Sequence, residues 1–317
     1  MDTITVVVPC YNEAEAIPLF YQEICRVSDL MSDFDFEYLF VNDGSKDATL
    51  QQIKALAQTD RRVKYISLSR NFGKESAMYA GFRYASGEYV VVMDADLQDP
   101  PSLLPEMMRG IRDEGYDCVA TRRVTRKGEP PLRSFFARLF YKLIRKLSKT
   151  EIVDGARDYR LLTRQYVDSL LELGEYNRFS KGLFGWCGFE TKWIEFENVK
   201  RAAGETKWSF WKLFLYSIDG IVAFSTVPLV IAALIGLLFC FLAFVFLAVI
   251  FFRALIFGDP VAGWPSLVCI LLLIGGIQML SIGVLGEYLA KTYMETKRRP
   301  IFICKETNIR REEDHPR

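Results

Sequence analysis

The sequence contains a single histidine, His315, in a polar stretch near the end of its 317 residues. Histidine is the commonest acid–base side chain near neutral pH and a frequent metal ligand, so this scarcity argues against a histidine-based catalytic or metal site. An excess of charge of one sign is also missing. With 40 basic and 39 acidic side chains the net charge is +1, and no overall field favours nucleic acid as a partner.

Paired cysteines are lacking as well. The chain has an odd number of scattered cysteines and no C-x-x-C pair, which argues against a disulfide framework or a zinc site. The seven are Cys10, Cys25, Cys118, Cys187, Cys240, Cys269 and Cys304. This usage fits a reducing compartment. No basic region with a long apolar segment precedes the first strand-like run, so we expect no signal peptide and a cytoplasmic N-terminal domain.

Two phosphate-binding signatures are absent. No G-x-G-x-x-G follows the first apolar run, which disfavours a dinucleotide-binding Rossmann enzyme. Gly73-Lys74 is followed by Glu75, and no earlier glycine has the spacing of a P-loop. ATP hydrolysis of the Walker type is therefore disfavoured too.

The first 120 residues alternate strand-like and helical segments. Strands are predicted over Ile4–Val8, Tyr38–Val41, Lys64–Leu68, Tyr89–Met93 and Cys118–Ala120, and helices over Ala16–Met31, Ala48–Gln58, Ser76–Ala85 and Leu103–Glu114. This alternation predicts an α/β fold with a mostly parallel sheet and right-handed crossovers. Asp47 is typical of a helix N-cap. Beyond Thr121 the alternation weakens.

Two carboxylates, Asp94 and Asp96, directly follow the apolar run Tyr89–Met93. Ligands of open α/β sheets bind outside the carboxyl ends of the strands. Paired hard oxygens at that position suit a divalent cation, and such a cation commonly carries phosphates. The first and second predicted strands end near Glu13 and at Asp43, so further acidic groups are expected at the same edge.

The C-terminal third contains two long uncharged runs, Ile221–Phe252 and Pro260–Gly286. A membrane span needs about 20 apolar residues, so we predict transmembrane helices near 226–252 and 265–290. Basic residues precede the first run and follow the second, whereas the connector carries only Arg253. The positive-inside rule then places both chain ends in the cytoplasm of a multi-pass plasma (inner) membrane protein. Apolar spans also permit helix association, so a homo-oligomer is compatible with the sequence.

Residues 133–149 form a basic amphipathic pattern. At helical spacing, aromatic and aliphatic residues occupy one half of the wheel and lysines and arginines the other. This is typical of a helix at a membrane surface, although a helix packed on the sheet with a solvated basic face would look the same. We predict an α/β domain over 1–206 that includes this helix, a juxtamembrane helix over 207–224, a transmembrane hairpin over 225–291 and a tail over 292–317.

Several short motifs resemble those of family 2 glycosyltransferases with a GT-A fold. They are Pro9–Glu13, Asn42–Ser45, Arg70–Lys74, Asp94–Asp99, Asp158–Leu161, Asn177–Phe179 and Lys181-Gly182. Three later motifs resemble, more narrowly, those of polyprenyl-phosphate glycosyltransferases of the bactoprenol glucosyltransferase type. They are Gly204–Trp208, Gly286–Tyr288 and Arg299-Pro300. The resemblance implies a GT-A catalytic domain and transfer of one sugar from a nucleotide sugar to a lipid phosphate. The Q-x-x-R-W motif of processive synthases is absent.

The resemblance implies roles on the donor side. Asp96 is expected to bind a Mg²⁺ or Mn²⁺ on the donor pyrophosphate, and Asp94 to share that metal or contact the ribose. Asp43 and Glu13 are expected to hold the nucleoside, and Pro9 and Tyr11 to shape the base pocket. The other predicted donor-binding residues are Lys74, Gln98, Arg178 and Lys181. Each of these residues could instead have an ordinary capping or surface role.

On the acceptor side, a lipid monophosphate has a second pKa of about 6 and is largely ionised at neutral pH. It needs little help from a base, but arginines should bind it, and Arg122, Arg133 and Arg160 are the candidates. Ordinary salt bridges are the alternative for them. Asp158 is expected near the reacting phosphate as a base, an orienting group or an electrostatic one. Arg157 is a departure from the resemblance, since many relatives have a small residue at this position. The departure concerns the donor sugar and the acceptor loop, and not the reaction class.

Three alternatives therefore stay open. The predicted reaction is an inverting, metal-dependent transfer of one hexose from a UDP-sugar to undecaprenyl phosphate, as a donor for cell-envelope glycosylation. UDP-glucose is favoured as the sugar donor and UDP-N-acetylglucosamine is next. GDP-mannose or an aminosugar donor would use the same chemistry, because the motifs do not select the base. An inactive nucleotide-binding membrane scaffold is the third reading.

Overall fold

The computed structural model describes residues 1–124, 153, 155–196, 222, 225–257 and 263–309. The predicted interface helix over 133–149, Arg133 and nearly all of the predicted juxtamembrane helix over 207–224 lie outside these residues. The division of the chain into four segments stays a prediction.

The first half of the chain alternates strands and helices. In chain order these are β1 (Asp2–Cys10), α1 (Ala16–Ser28), β2 (Phe34–Asn42), α2 (Thr49–Thr59), β3 (Val63–Leu68), α3 (Lys74–Tyr84), β4 (Tyr89–Val92), a 3₁₀ turn (Pro101–Leu103), α4 (Leu104–Arg112) and β5 (Cys118–Arg123). The second half contains β6 (Ala156–Thr163), α5 (Arg164–Glu172), α6 (Ser180–Trp186), β7 (Thr191–Phe196), α7 (Val227–Phe257), α8 (Trp264–Thr296) and β8 (Cys304–Thr307). All five predicted strands and all four predicted helices are present, and several ends shift by a few residues.

The strands form one sheet in the order β7-β5-β6-β4-β1-β2-β3-β8. Six strands run in the same direction, whereas β6 and β8 pair antiparallel with their neighbours. The predicted α/β class with a mostly parallel sheet is therefore confirmed. Strands β6, β7 and β8 were not predicted, because their sequences mix charged and apolar residues and lack an apolar run.

Helices cover both faces of the sheet. Apolar side chains of α1 and α4 pack on one face, and those of α3, α5 and α6 pack on the other. Helix α3 lies especially close to β1, because a Cβ at Gly81 would come within 2.2 Å of Val7 Cγ1. Coverage of both faces explains why β1 and β4 read as continuous apolar runs.

Helices α7 and α8 coincide with the two predicted spans. By length and composition, Val227–Phe246 and Leu273–Thr296 are apolar enough to cross a membrane, with mean hydropathies of 3.1 and 1.4. Large side chains such as Phe244 are 72 % exposed. The Tyr288 hydroxyl on α8 donates a hydrogen bond to the carbonyl of Ser225, just before α7, and so joins the two helices.

The chain returns to the same sheet after α8. Strand β8 pairs antiparallel with β3, with Thr307 opposite Ile66. The Lys54 Nζ lies 2.8 Å from a carboxylate oxygen of Glu306. The Phe302 ring lies 6.3 Å, centroid to centroid, from both Tyr79 and Tyr84 of α3. The segment after the second long helix is thus part of the folded domain, and it covers the edge of β3.

We expect Phe302→Ala to lower the thermal unfolding midpoint of the detergent-solubilised protein. The substitution removes a half-buried ring with two aromatic neighbours, at a cost of about 2 kcal/mol. Ile303→Ala is the matched control, since Ile303 is 50 % exposed. Equal, small shifts in the two variants would show that this segment does not stabilise the domain.

Candidate functional site

The carboxyl ends of β4, β1 and β2 lie side by side, because these strands are parallel neighbours in the sheet. This brings together the loops that contain Glu13, Asp43 and Asp94. Strand β6 is antiparallel to β4, with Arg160 opposite Val92, so Asp158 comes level with Asp94. The fold thus brings together the acidic residues predicted at the strand ends.

The loops after β1 and β2 bind each other. Asn12, in a left-handed conformation with φ 55°, donates its N–H to Ser45 Oγ at 3.0 Å and accepts from the Lys46 N–H at 2.8 Å. The Glu13 N–H donates to Thr49 Oγ1 at 2.8 Å. These bonds fix the backbone that directly follows half-buried Tyr11. Pro9, Tyr11 and Glu13 therefore lie at the predicted edge, and their nucleoside contacts stay predictions.

Asp43 is only 2 % exposed. Its carboxylate accepts the Phe72 N–H at 2.7 Å and the Gly73 N–H at 2.9 Å, and so holds the segment before α3. Burial raises the pKa of Asp43, and these two hydrogen bonds oppose the rise. The same segment passes over Gly44, where a Cβ would come within 2.4 Å of the Arg70 carbonyl carbon. Asp43 thus shapes this loop, whereas its predicted contact with a nucleoside stays a prediction.

Lys74, the first residue of α3, links the ends of β4 and β6. Its Nζ lies 2.7 Å from Asp94 Oδ1 and 2.6 Å from Asp158 Oδ2. Burial alone would lower the pKa of Lys74, but the two carboxylates raise it well above its ordinary value. The ammonium therefore stays charged. Its side chain is 39 % exposed, so it is accessible to a ligand.

Asp158 is held in its ionised form. Burial alone would raise its pKa, but the charges of Lys74 and Lys181, the hydrogen bond from Lys74 and the charge of Arg157 hold the pKa well below its ordinary value. A carboxylate in this state is a poor general base at neutral pH. Of the predicted roles for Asp158, the electrostatic one fits this environment best.

Arg157 forms a bidentate pair with Asp99. Its Nε and Nη2 lie 2.8 and 3.1 Å from the two carboxylate oxygens of Asp99, whose side chain is fully buried. The same guanidinium is 3.7 Å from Asp94 Oδ2. Burial raises the pKa of Asp99 and the charge of Arg157 opposes the rise. This pair was not predicted, because its members are 58 positions apart in the chain.

Asp96 is 8 % exposed and lies in the turn after β4. Its Oδ1 accepts the Gln98 N–H at 3.1 Å across Leu97, whose φ is 56°. The Gln98 Oε1 accepts from Arg123 at 3.2 Å, and its predicted donor contact stays a prediction. The turn thus fixes the direction of the Asp96 carboxylate.

The donor set fits a hard divalent cation that is completed by a ligand. Asp94 and Asp96 supply carboxylate oxygens, and Mg²⁺ is commonly bound by one or two carboxylates together with substrate phosphates and water. No group of three or more metal-binding side chains is present within the described parts of the chain. These residues could therefore hold a cation with a bound diphosphate, and Asp96 would be the main protein ligand because Asp94 is paired with Lys74.

The predicted arginines occupy different environments. Arg122 donates from Nε to Glu195 at 3.0 Å. Arg160 is 4 % exposed, with its guanidinium carbon 4.2 Å from the Phe184 ring centroid and 5.2 Å from that of Trp193. The side chain packs β6 against α6 and β7, and its contact with an acceptor phosphate stays a prediction. Arg122 stays a candidate.

Arg178 precedes α6, and Lys181 lies in the first turn of that helix. The Arg178 guanidinium lies 4.4 Å above the Tyr79 ring and donates to the Leu173 carbonyl, and burial lowers its pKa. Glu75 accepts the Ser180 N–H at 3.0 Å at the start of the same helix. Sequence reasoning missed Glu75, although its position directly after Lys74 could have indicated it. The donor contacts of Arg178 and Lys181 stay predictions.

A cavity of about 470 Å³ lies between α3, the segment around Tyr176 and the end of α8. Tyr79, Arg83, Arg298 and Phe302 contribute to its wall. None of the predicted site residues lines it. The candidate site is therefore the cluster at the strand ends, where the ionised groups converge.

The sequence matches one family model and several curated proteins. Residues 5–171 match the model described as glycosyl transferase family 2. The chain is 45 % identical to the putative glycosyltransferase CsbB of Bacillus subtilis (strain 168), over 96 % of this chain and 92 % of that protein. It is 43 % identical to the prophage bactoprenol glucosyl transferase homolog of Escherichia coli (strain K12), over 95 % and 98 %.

Solved structures with a similar fold include glucosyl-3-phosphoglycerate synthase from Mycobacterium tuberculosis in complex with Mn²⁺, UDP-glucose and phosphoglyceric acid. It has a TM-score of 0.44 and 21 % identity, over 70 % of this chain and 78 % of that one. Mannosyltransferase PcManGT from Pyrobaculum calidifontis, in complex with GDP-mannose and Mn²⁺, has a TM-score of 0.42 and 18 % identity, over 90 % and 86 %.

The family model covers more than half of the chain, and the relatives match nearly its whole length. The family membership that the short motifs predicted is therefore confirmed, and the similarity extends over nearly the whole chain. The chain belongs to glycosyl transferase family 2, and it is a glycosyltransferase.

Proposed function

We propose that this protein transfers a single glucose from UDP-glucose to a polyprenyl phosphate at the cytoplasmic face of the plasma membrane, with inversion at the anomeric carbon. The observation that carries the proposal is the cluster of Lys74, Asp94 and Asp158 beside Asp96, in a chain that also contains two long apolar helices. Relatives named bactoprenol glucosyl transferase support the glucose and the lipid acceptor.

The donor diphosphate binds where Asp94 and Asp96 meet the basic residues. A Mg²⁺ or Mn²⁺ bound there would neutralise charge on the departing UDP and act as a Lewis acid. Asp96 would be the main ligand of that cation. The Lys74 side chain is exposed enough to contact a phosphate while its ion pairs with Asp94 and Asp158 stay in place. Lys181 adds a second positive charge near Asp158.

The acceptor supplies its own nucleophile. A phosphomonoester is largely dianionic at neutral pH, since its second pKa is about 6. One of its oxygens attacks the anomeric carbon as the bond from that carbon to the UDP oxygen breaks, which gives a β-linked phosphodiester and free UDP. No proton has to leave the acceptor, so the ionised Asp158 acts by keeping Lys74 in place and by its charge.

The membrane helices bring the site to the lipid. Strand β8 follows α8, and it belongs to the same sheet as the strands that precede α7. Both ends of the helical hairpin would therefore lie on the side of the membrane that holds this sheet. A helical hairpin in the bilayer then leaves the catalytic domain beside the headgroups, where a polyprenyl phosphate presents its phosphate.

The test is transfer by the purified full-length protein in detergent, with radiolabelled UDP-glucose, undecaprenyl phosphate and Mg²⁺ or Mn²⁺. We expect a labelled, anionic, chloroform-soluble product that carries one hexose. Absence of product with every common nucleotide sugar and either metal would overturn the proposal.

The choice of donor base has a separate test. UDP should raise the thermal unfolding midpoint more than GDP does at equal concentration, because the ligand with the lower Kd stabilises the folded state more. A larger shift with GDP would replace UDP-glucose by a GDP-sugar and leave the reaction class unchanged.

A further inference from the structure

The C-terminal end of α8 binds the irregular segment 173–179. The Tyr176 N–H donates to both carboxylate oxygens of Glu295, at 3.0 and 3.1 Å, and the Asn177 N–H donates to Glu295 Oε1 at 3.2 Å. One turn earlier on α8, Lys291 Nζ lies 3.3 Å from Asn177 Oδ1. Hydrogen bonds to an ionised acceptor are stronger than neutral ones, so this is a firm attachment.

The attached segment leads directly into the candidate site. After Asn177, the Arg178 guanidinium stacks on Tyr79 of α3, and the Ser180 N–H then donates to Glu75 at 3.0 Å. Glu75 follows Lys74, which binds Asp94 and Asp158. Continuous contacts therefore run from the second apolar helix to the catalytic carboxylates.

Segment 173–179 is held at two places. At its end, Phe179 is 2 % exposed and Arg178 stacks on Tyr79. Before that, the backbone of Tyr176 and Asn177 is held by Glu295.

Residues 173–179 form neither helix nor strand, yet they determine where α6 begins. Lys181 lies in the first turn of α6, close enough to Asp158 for their charges to interact. A shift of the segment would move Lys181 and Arg178, which are the predicted ligands of the donor phosphates.

We propose that Glu295 is a positioning residue of the transferase, which fixes segment 173–179 so that Arg178 and Lys181 are held ready for the donor diphosphate. The inference rests on the proposed function for its kinetic consequence, but the attachment itself does not. It makes the second apolar helix a part of the donor site as well as an anchor.

The geometry supplies a conservative variant. Both backbone N–H groups donate to Glu295 Oε1, so a glutamine can accept both bonds with its single carbonyl oxygen. Glu295→Gln should therefore keep the two bonds to one oxygen but lose the charge and the second bond from Tyr176, whereas Glu295→Ala removes all three bonds. The matched control is Glu306→Ala, which also removes a carboxylate that joins the C-terminal segment to the domain, but through Lys54 at the sheet edge.

The experiment measures kcat and KM for UDP-glucose with the full-length protein in lipid nanodiscs. We expect Glu295→Ala to raise KM about tenfold with kcat within about threefold of wild type, a loss that corresponds to the hydrogen bonds to one carboxylate. Glu306→Ala should stay within about twofold of wild type, and the KM of Glu295→Gln should lie between those of wild type and Glu295→Ala. An unchanged KM in Glu295→Ala, or an equal change in Glu306→Ala, would overturn the inference.

Hydrogen–deuterium exchange separates this inference from the proposed function. In Glu295→Ala the backbone amides of 173–181 should exchange faster, with β1 and β4 unchanged. If wild-type protein transfers no sugar, the proposed function fails, and faster exchange confined to 173–181 still supports the attachment. Unchanged exchange there would show that Glu295 does not hold the segment.

Discussion

Asp96→Asn should reduce sugar transfer about a thousandfold, the scale of losing a key electrostatic contact to a developing charge. The amide retains an oxygen that can accept the Gln98 N–H, so the turn should keep its shape. It loses the negative charge that draws a divalent cation to the donor diphosphate. The measurement is the rate of glycolipid formation at saturating UDP-glucose and Mn²⁺.

Two further measurements make this result specific. Binding of UDP-glucose should become nearly independent of Mn²⁺ in Asp96→Asn, whereas the thermal unfolding midpoint should change little. Asp113→Asn is the control, because Asp113 is an exposed carboxylate at the end of α4. Wild-type transfer by Asp96→Asn would remove Asp96 from the metal site.

Asp158→Asn should lower kcat about a hundredfold and leave the shape of the pH profile unchanged. The pKa of Asp158 is lowered in the folded protein, so the group stays ionised as the pH falls from 8 to 5 and contributes no acidic limb. The rate should instead rise with pH through about 6, as the acceptor phosphate loses its second proton. The loss of rate reflects Lys74, which would keep only Asp94 as a partner.

The pH dependence of kcat distinguishes an electrostatic role of Asp158 from a role as general base. If Asp158 were the general base, the limb near pH 6 would disappear or move in Asp158→Asn. Asp168→Asn serves as the control, since Asp168 is a carboxylate on α5 that is 62 % exposed. We expect that variant to match wild type at every pH.

The sequence was sufficient to predict β1 to β5, which are five of the six strands that run in the same direction. Strands such as β1 and β4 are buried on both faces, and their apolar runs identify them. Strand β6 could not be found in this way, because it carries Arg157, Asp158 and Arg160 in the middle of the sheet. Its charges are satisfied by partners on other elements, which no local pattern reveals.

The same contrast applies to the site. Asp94 and Asp96 were predictable, since a carboxylate directly after a buried strand must lie at the edge of the sheet. The pairs Arg157–Asp99, Ser180–Glu75 and Tyr176–Glu295 join residues 58, 105 and 119 positions apart. Such pairs depend on how distant segments fold back on one another. A single sequence therefore does not show which residues are partners, even where one of them, such as Glu75, follows a predicted site residue.

The return of the chain to β3 has a consequence for how this protein is made. A ribosome must synthesise both long helices before residues 304–307 exist, so the sheet stays one strand short while the hairpin inserts. An open strand edge invites pairing with other chains. A chain that is truncated before α7 should therefore aggregate, and a soluble version would need β8 joined back through a designed linker.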